Sequence, residues 1–510
     1  MGLPLCVYAA LPFFTFCAAI YFRQGTRKLP PGPSGLPLLG YAMKIPQTLA
    51  WETFAEWSKS YGPIMFLEAL RRPMIVVSSV DAAYDLMKKK GAIFSDRPRA
   101  SVADMIGWGQ ALSLLPYGQP QFVKQRRLMQ EHLGSSAIRS YDKIVVNRVQ
   151  KFLHRLWLQP DGFCQDIHGL VASIIVEVVY GHSISGNPAS DKFITGNERA
   201  TRLTALCGNI GFTAMDIFPF LRYIPACVPG MGLKRKVLEA RDAVQTANTL
   251  PFEWAKSKKV SGIKTPSIIH TLLDEYDDLR EMSSEDEMDL KIFAGTVYNG
   301  GTDTTRTTIT MFFLMMVLNR DVQKHAQNEI DSIVGLDRLP LPEDRASLPY
   351  IDCILKEVLR IHPPAPLGLA HASTKTDEYR GWSIPARSMI IPNIWHMMKD
   401  ANTFPDPEKF DPDRHIVRGD TTADDPISPV FGFGRRACPG KAFADSILWT
   451  TMANVLATYD ILPSRDPVTG DDVYPVPEFE SGLIYFVKPF KCRIVPRKER
   501  LAQIIPESLS

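Results

Sequence analysis

Phe431-Gly432-Phe433-Gly434-Arg435-Arg436-Ala437-Cys438-Pro439-Gly440 contains the residue best suited to hold a metal, a cysteine set among glycines. Glycines permit a tight turn beside the sulfur. Arg436 brings a fixed positive charge two residues before it, which favours a thiolate. A helical run over 441–459 begins just after and would point its N-terminal amides at that thiolate. An ordinary free cysteine is only a small hydrophobe, and this surrounding argues against that reading. The same stretch spells a dinucleotide fingerprint through Gly432, Gly434 and Ala437. That fingerprint needs a buried strand before it, whereas Asp424, Asp425, Pro426 and Pro429 write a loop.

A second reactive set lies in the longest helical run, from about Glu285 to Leu318. Ser283 and Ser284, with Asp286 and Glu287 three residues on, give overlapping capping boxes at its start. Such a helix is about 50 Å long, enough to cross a domain. Gly295, Gly300 and Gly301 interrupt it, each costing about 1 kcal/mol relative to alanine. Thr302-Asp303-Thr304-Thr305 then puts an acid and hydroxyls ahead of Phe312-Phe313-Leu314-Met315. A helix that only fills a core has no use for them. Further on, Glu357 and Arg360 share one face of a helix ending at Pro363-Pro364. Alone they read as a surface ion pair, and Glu68 with Arg71 repeats the spacing.

The elements that must position these groups are mostly helical. Residues 63–79 read as two short strands around Arg71-Arg72-Pro73, and Asp81–Lys90 as a helix. Helical stretches with Pro and Gly breaks follow to about residue 260, and Val473–Val495 returns to short β-like runs. The expected fold is mainly α with small β-sheets. Ahead of it, Leu3 to Phe22 carries no charge and would span roughly 30 Å as a helix, one hydrocarbon core. Arg23, Arg27 and Lys28 follow, which places the bulk on the cytoplasmic side of a single-pass anchor. A cleaved signal peptide is the competing reading, but no positive region precedes the apolar run. The expected division is therefore an anchor with its basic flank (1–28), a proline-rich hinge (29–46) built on Pro30-Pro31-Gly32-Pro33-Ser34-Gly35, and one catalytic domain (47–510). A 45% hydrophobic, 22% charged chain of 510 residues excludes disorder. The net charge, 58 − 55 = +3, gives no footprint for nucleic acid. Eight scattered cysteines without a CxxC pair speak against zinc and against a disulfide scaffold.

The decapeptide resembles the haem-binding segment Phe-x-x-Gly-x-Arg-x-Cys-x-Gly of the cytochromes P450, matched at Phe431, Gly434, Arg436, Cys438 and Gly440. The resemblance runs over essentially the whole chain and is that of a membrane-bound, microsomal-type, fungal member. It implies the P450 fold and haem b with Cys438 thiolate as axial iron ligand. It also implies a structural triad of Glu357 and Arg360 with Arg414, the last from Phe410-Asp411-Pro412-Asp413-Arg414. By the same resemblance Arg126, Arg436 and His371 meet the haem propionates. Phe122 stands where the family often has Trp, so an indole hydrogen bond to one propionate is missing or replaced. Thr304 would assist oxygen activation and Asp303 would relay protons from solvent, with Gly300 and Gly301 making room for a flat cofactor.

With no flavin domain in the sequence, electrons would come from a separate NADPH–cytochrome P450 reductase, with cytochrome b5 as an optional second donor, at the endoplasmic reticulum membrane. The implied reaction is monooxygenation. A haem-thiolate isomerase or dehydratase and a non-catalytic haem-binding membrane protein are the alternatives. Segments that line the pocket in similar enzymes read here as Met105-Ile106-Gly107-Trp108, Phe293, Val297, Tyr298, Pro366-Leu367-Gly368-Leu369 and Leu483-Ile484. They are apolar and imply a neutral lipophilic substrate such as a terpenoid, polyketide or polycyclic aromatic.

Overall fold

The structure is a computed structural model, and it describes residues 28–36, 40, 41, 44–46, 48–208, 213–263, 265–279, 282–416 and 425–497. The expected membrane anchor lies outside the described residues, as do Pro37 and part of the hinge.

Helices dominate. The longer ones that matter here are α1 (Ala50–Tyr61), α2 (Pro120–Leu133), α3 (Asp142–Leu158), α4 (Phe163–Tyr180), α5 (Lys192–Ala205), α6 (Gly232–Val260), α7 (Ser284–Leu318), α8 (Pro349–Ile361) and α9 (Lys441–Thr458). The largest sheet has four strands: β1 (Ile64–Ala69), β2 (Arg72–Val77), β3 (His371–Ala372) and β4 (Met389–Pro392), ordered β1-β2-β4-β3. β1 and β2 form the expected hairpin, with Ile64 opposite Val77. β2 runs parallel to β4, and β3 pairs antiparallel with β4 so that His371 faces Ile390.

Capping sets where α7 begins. Ser283 Oγ accepts from Asp286 N–H while the Asp286 carboxylate accepts from Ser283 N–H, the reciprocal box read from the sequence. From there α7 runs 35 residues through the main core, which it shares with α3, α4 and α9. α9 is buried on nearly every face, and its Thr451, Asn454 and Thr458 return their polar atoms to carbonyls one turn back. Inside a dry core that pairing is what makes polar residues tolerable. Among the described residues, one helix, Pro160–Tyr180, is long and apolar enough to cross a membrane, and it is largely buried as a core helix.

The expected helix at Asp81–Lys90 is present but not uniform. An α turn at Val80–Ala83 widens into a π-helical turn, Tyr84–Lys89, with Lys90 N–H bonded five residues back to Asp85 O. Tertiary anchors hold the widened turn: Tyr84 hydroxyl meets Ser428 Oγ at 2.7 Å, its ring packs edge-on to Phe433, and Tyr379 hydroxyl reaches Asp85 at 2.7 Å. Two of those anchors flank the cysteine loop.

Candidate active site

Backbone demands build the cysteine loop. A 3-10 turn at Ser428–Phe431 and another at Gly434–Arg436 lead into Cys438, so the strand that a dinucleotide fingerprint requires is not there. Gly434 has φ +53°, and a Cβ on it would lie 2.2 Å from Met87 O in the π-helical turn. Only glycine fits that approach. Cys438 N–H donates to Phe431 O at 2.7 Å and closes the loop. Gly440 stands at the N-cap of α9, and its N–H points at the Cys438 sulfur, with Arg126 and Lys441 in electrostatic reach. Burial pushes the thiol pKa up, and those three groups oppose it. Cys438 is exposed by surface area yet surrounded like a deeply buried group. Both hold if its sulfur opens on an internal recess, as a metal ligand must.

Beside the loop, cationic groups gather. Arg126 Nη1 donates to Ala437 O at 2.6 Å, next to the cysteine. Arg436 is buried and donates to the carbonyls of Ser95 (2.8 Å), Leu112 (3.1 Å) and Leu115. Buried Arg97 donates to Ser113 O (2.8 Å), Leu369 O (2.6 Å) and Ala370 O (2.8 Å). Burial and then the charge of Arg436 bring the Arg97 pKa down to about 9. His371, placed by β3, has Nδ1 2.7 Å from Phe94 O. Burial, then Arg97, pushes its pKa down to about 3. The acid in reach, Asp96, already accepts from Tyr117 N–H at 2.9 Å. Partly desolvated guanidiniums with no carboxylate bonded to them among the described residues suit an anionic ligand, and the two propionates of a haem fit that demand. Phe122 takes part differently from the indole it stands for: the Arg436 guanidinium carbon lies 4.2 Å from its ring centroid, a cation–π contact.

On α7 the two glycines divide the work expected of both. A Cβ at Gly300 would meet no atom of the described residues within 4 Å, whereas one at Gly301 would lie 2.9 Å from Ile175 Cδ1 of α4. Gly301 therefore serves helix packing, and only Gly300 leaves space beside the helix. Thr304 Oγ1 donates to Gly300 O at 2.9 Å, and the helix continues without a break. Burial raises the Asp303 pKa and Arg306 opposes the rise.

Glu357, Arg360 and Arg414 come together fully. Arg360 Nε and Nη2 each reach the Glu357 carboxylate at 2.8 Å, and Arg414 Nε reaches it at 3.1 Å. Asp411 N–H and His415 Nε2 complete the shell at 2.9 and 2.8 Å. Burial works to raise the Glu357 pKa, but the bonds from Arg360 and His415 outweigh it and hold it at about 2. The remaining guanidinium donors go to the carbonyls of Met398, Pro405, Asp406, Pro407 and Lys409, which ties this segment to α8.

The expected pocket residues fall in separate hydrophobic clusters. Phe293, Val297 and Tyr298 lie in the main core, and Ile106 lies in a second cluster with Val244 of α6. Leu367 packs on a third cluster around β1, β2 and β4, and Leu483 is exposed.

A model of the cytochrome P450 family matches residues 30–473. The chain belongs to that family. Cytochrome P450 monooxygenase 176 of Postia placenta is 37% identical over 508 residues, 99% of this chain and 97% of the relative. Cytochrome P450 monooxygenase claR of Ampulloclitocybe clavipes is 34% identical, covering 94% of this chain and 88% of its own. Cytochrome P450 monooxygenase COX2 of Coprinopsis cinerea is also 34% identical, at 96% and 93%. This P450 is thus an enzyme of the monooxygenase class, and the family's cofactor is haem held by a cysteine thiolate. Sequence reasoning missed Arg97 and His415. Arg97 lies in Phe94-Ser95-Asp96-Arg97-Pro98-Arg99, where only its burial against backbone carbonyls distinguishes it from the exposed Arg99. His415 directly follows the Arg414 that the sequence did single out.

Proposed function

We propose that this P450 inserts one atom of O₂ into a neutral lipophilic substrate, with Cys438 as the axial thiolate and electrons from a separate NADPH-dependent reductase. The balance is RH + O₂ + 2e⁻ + 2H⁺ → ROH + H₂O. Haem held by a thiolate supplies the oxygen activation, because the thiolate pushes electron density toward O–O cleavage. The protein's own residues do the rest. Gly440 N–H, Arg126 and Lys441 favour the charged sulfur, and Arg97, Arg126, Arg436 and His371 hold the anionic edge of the cofactor. His371, with Nδ1 committed to Phe94 O, needs a proton on Nε2 to donate to a carboxylate, and neighbouring negative charge would supply the drive for that protonation. The Glu357 shell fixes α8 against segment 398–415. Thr304 presents its hydroxyl beside the space left by Gly300, and Asp303 next to it, its pKa raised by burial, is placed to take up and pass on a proton.

The observation that carries this reading is a Cys438 sulfur that keeps exposed surface though densely surrounded, beside a cluster of buried cations. The carbon monoxide complex of the reduced protein is expected to show the red-shifted Soret band of a thiolate ligand. Cys438→His should keep haem and lose that band, and intact wild-type holoprotein without the band overturns the assignment.

The proposal extends to place. Residues 1–28 form a single-pass anchor in the endoplasmic reticulum membrane, 29–46 a hinge, and 47–510 a cytoplasmic haem domain. The charge-free run from Leu3 to Phe22 followed by Arg23, Arg27 and Lys28 supports this. Deleting 1–28 should leave a chain that still takes up haem and partitions less strongly to membranes. Loss of haem uptake in an otherwise stable protein would show that the division is misplaced.

A further inference from the structure

Asp303 is largely enclosed, and an enclosed acid can keep delivering protons only if something returns them from solvent. The neighbouring face of α7 shows where that could happen. Thr201 of α5 donates to Asn299 Oδ1 at 3.2 Å, and Asn299 lies one turn before Asp303 on the same side of α7. Glu198 lies three residues before Thr201 on α5, and it is in electrostatic reach of both Asp303 and Arg306. Its side chain is 47% exposed, so one end meets water. The other end is held inward: Glu198 Oε1 lies 2.9 Å from Nδ1 of His168, a residue of α4 whose side chain is only 11% exposed.

We propose that Glu198, held in place by His168, is the solvent end of the proton path that supplies Asp303. This rests on the role given to Asp303 above and adds the route into it. In each cycle a proton from water forms an O–H bond on the Glu198 carboxylate. That bond then breaks as the proton passes to the Asp303 carboxylate, directly or over water, and Glu198 is left ionised again. No electrons move in the relay.

The charges around the pair suit this traffic. Burial raises the Glu198 pKa, Arg306 opposes the rise and Asp303 adds to it. Burial, then Arg306, brings the His168 pKa down to about 4, so at neutral pH its Nδ1–H donates to Glu198 instead of competing for the proton. Tyr298, on the adjacent face of α7, also lies in reach of Glu198 and Asp303, and burial keeps its phenol protonated. An ion pair that merely joins α4 to α5 would have no need for a carboxylate coupled to Asp303.

The test compares wild-type holoenzyme with Glu198→Gln, Glu198→Asp and Thr201→Val. Two readouts are used: infrared titration of the protonated carboxyl bands, and NADPH oxidation in H₂O and D₂O across pH. Glu198→Gln should shift the midpoint of the band lost in Asp303→Asn. It should also slow turnover about a hundredfold, the low end for a proton-transfer group, with a larger solvent isotope effect. Glu198→Asp should recover most of both, and Thr201→Val should change neither by more than about twofold. An unshifted Asp303 band together with an unchanged isotope effect in Glu198→Gln overturns the proposal. Should the wild-type protein oxidise no substrate at all, the monooxygenase reading fails by itself, while the infrared titration still decides whether Glu198 and Asp303 are coupled.

Discussion

Thr304 carries a hydroxyl that the helix does not need. Its bond to Gly300 O adds nothing to a turn already closed by backbone hydrogen bonds, and alanine has the higher helix propensity. Thr304→Ala should therefore keep the fold, the haem and the thiolate spectrum. Removing a positioned proton-handling group typically costs about 10²–10⁴-fold in the step it serves. The expected result is less product per NADPH, with the difference released as hydrogen peroxide or excess water. Unchanged coupling with lowered stability would make Thr304 a mere helix residue. At this scale the sequence was legible where chemistry is rare. Glu357 with Arg360 gained its weight from the family resemblance and Arg414, whereas a cysteine among glycines and an acid with hydroxyls inside an apolar helix stand out from their surroundings. Arg97 did not, because an arginine declares itself as a ligand-holder only when its guanidinium is found buried against carbonyls and another arginine.

Elements met at close range explain which glycines matter. Gly434 lets the cysteine loop touch the π-helical turn at Met87, and that contact links residues more than 340 apart in the chain. Periodicity cannot announce such an approach, nor could it show that Gly301 answers to Ile175 while Gly300 answers to open space. The same limit hid the π turn, which is held by Ser428, Phe433 and Tyr379 from distant segments. Two substitutions separate the roles. Gly434→Ala must shift Met87 or the loop and adopt a left-handed backbone, so the apoprotein should lose about 2 kcal/mol or more. Gly440 has φ −92°, and among the described residues no atom lies within 4 Å of the Cβ that Gly440→Ala adds. It should leave apoprotein stability within about 0.5 kcal/mol and weaken haem retention instead. Denaturant midpoints of the apoproteins and haem loss to a scavenger measure the two effects, and equal apoprotein stabilities would refute the close-approach argument.

Across the whole molecule, long-range polar contacts link helices that the sequence predicted to the short C-terminal strands it marked only as β-like. His362 is one such joint, at the end of α8. Its ring stacks on Tyr485 (4.4 Å between centroids) and Phe479 (5.2 Å). Its Nε2 lies 2.8 Å from Tyr485 O, and Thr307 of α7 donates to the same carbonyl at 2.9 Å. Full burial brings the His362 pKa down to about 4. Between that value and the unfolded value of about 6.5 the unfolded chain binds the extra proton, so stability falls as pH falls through this window. From pH 7 to pH 5 this one group should remove about 2 kcal/mol. His168 and His371, with pKa values down to about 4 and about 3, act with the same sign, the latter until cofactor carboxylates offset it. Glu357 loses its stabilising charge only at lower pH, toward its own value of about 2. Acid sensitivity between pH 6.5 and 4 is thus expected to belong to buried imidazoles. His362→Phe keeps a ring in the stack and leaves Tyr485 O bonded to Thr307, so it should flatten the decline by about 2 kcal/mol while changing stability at pH 7 little. Urea midpoints of both proteins at pH 7 and pH 5 check this, and parallel pH slopes would mean that the joint does not titrate in this window.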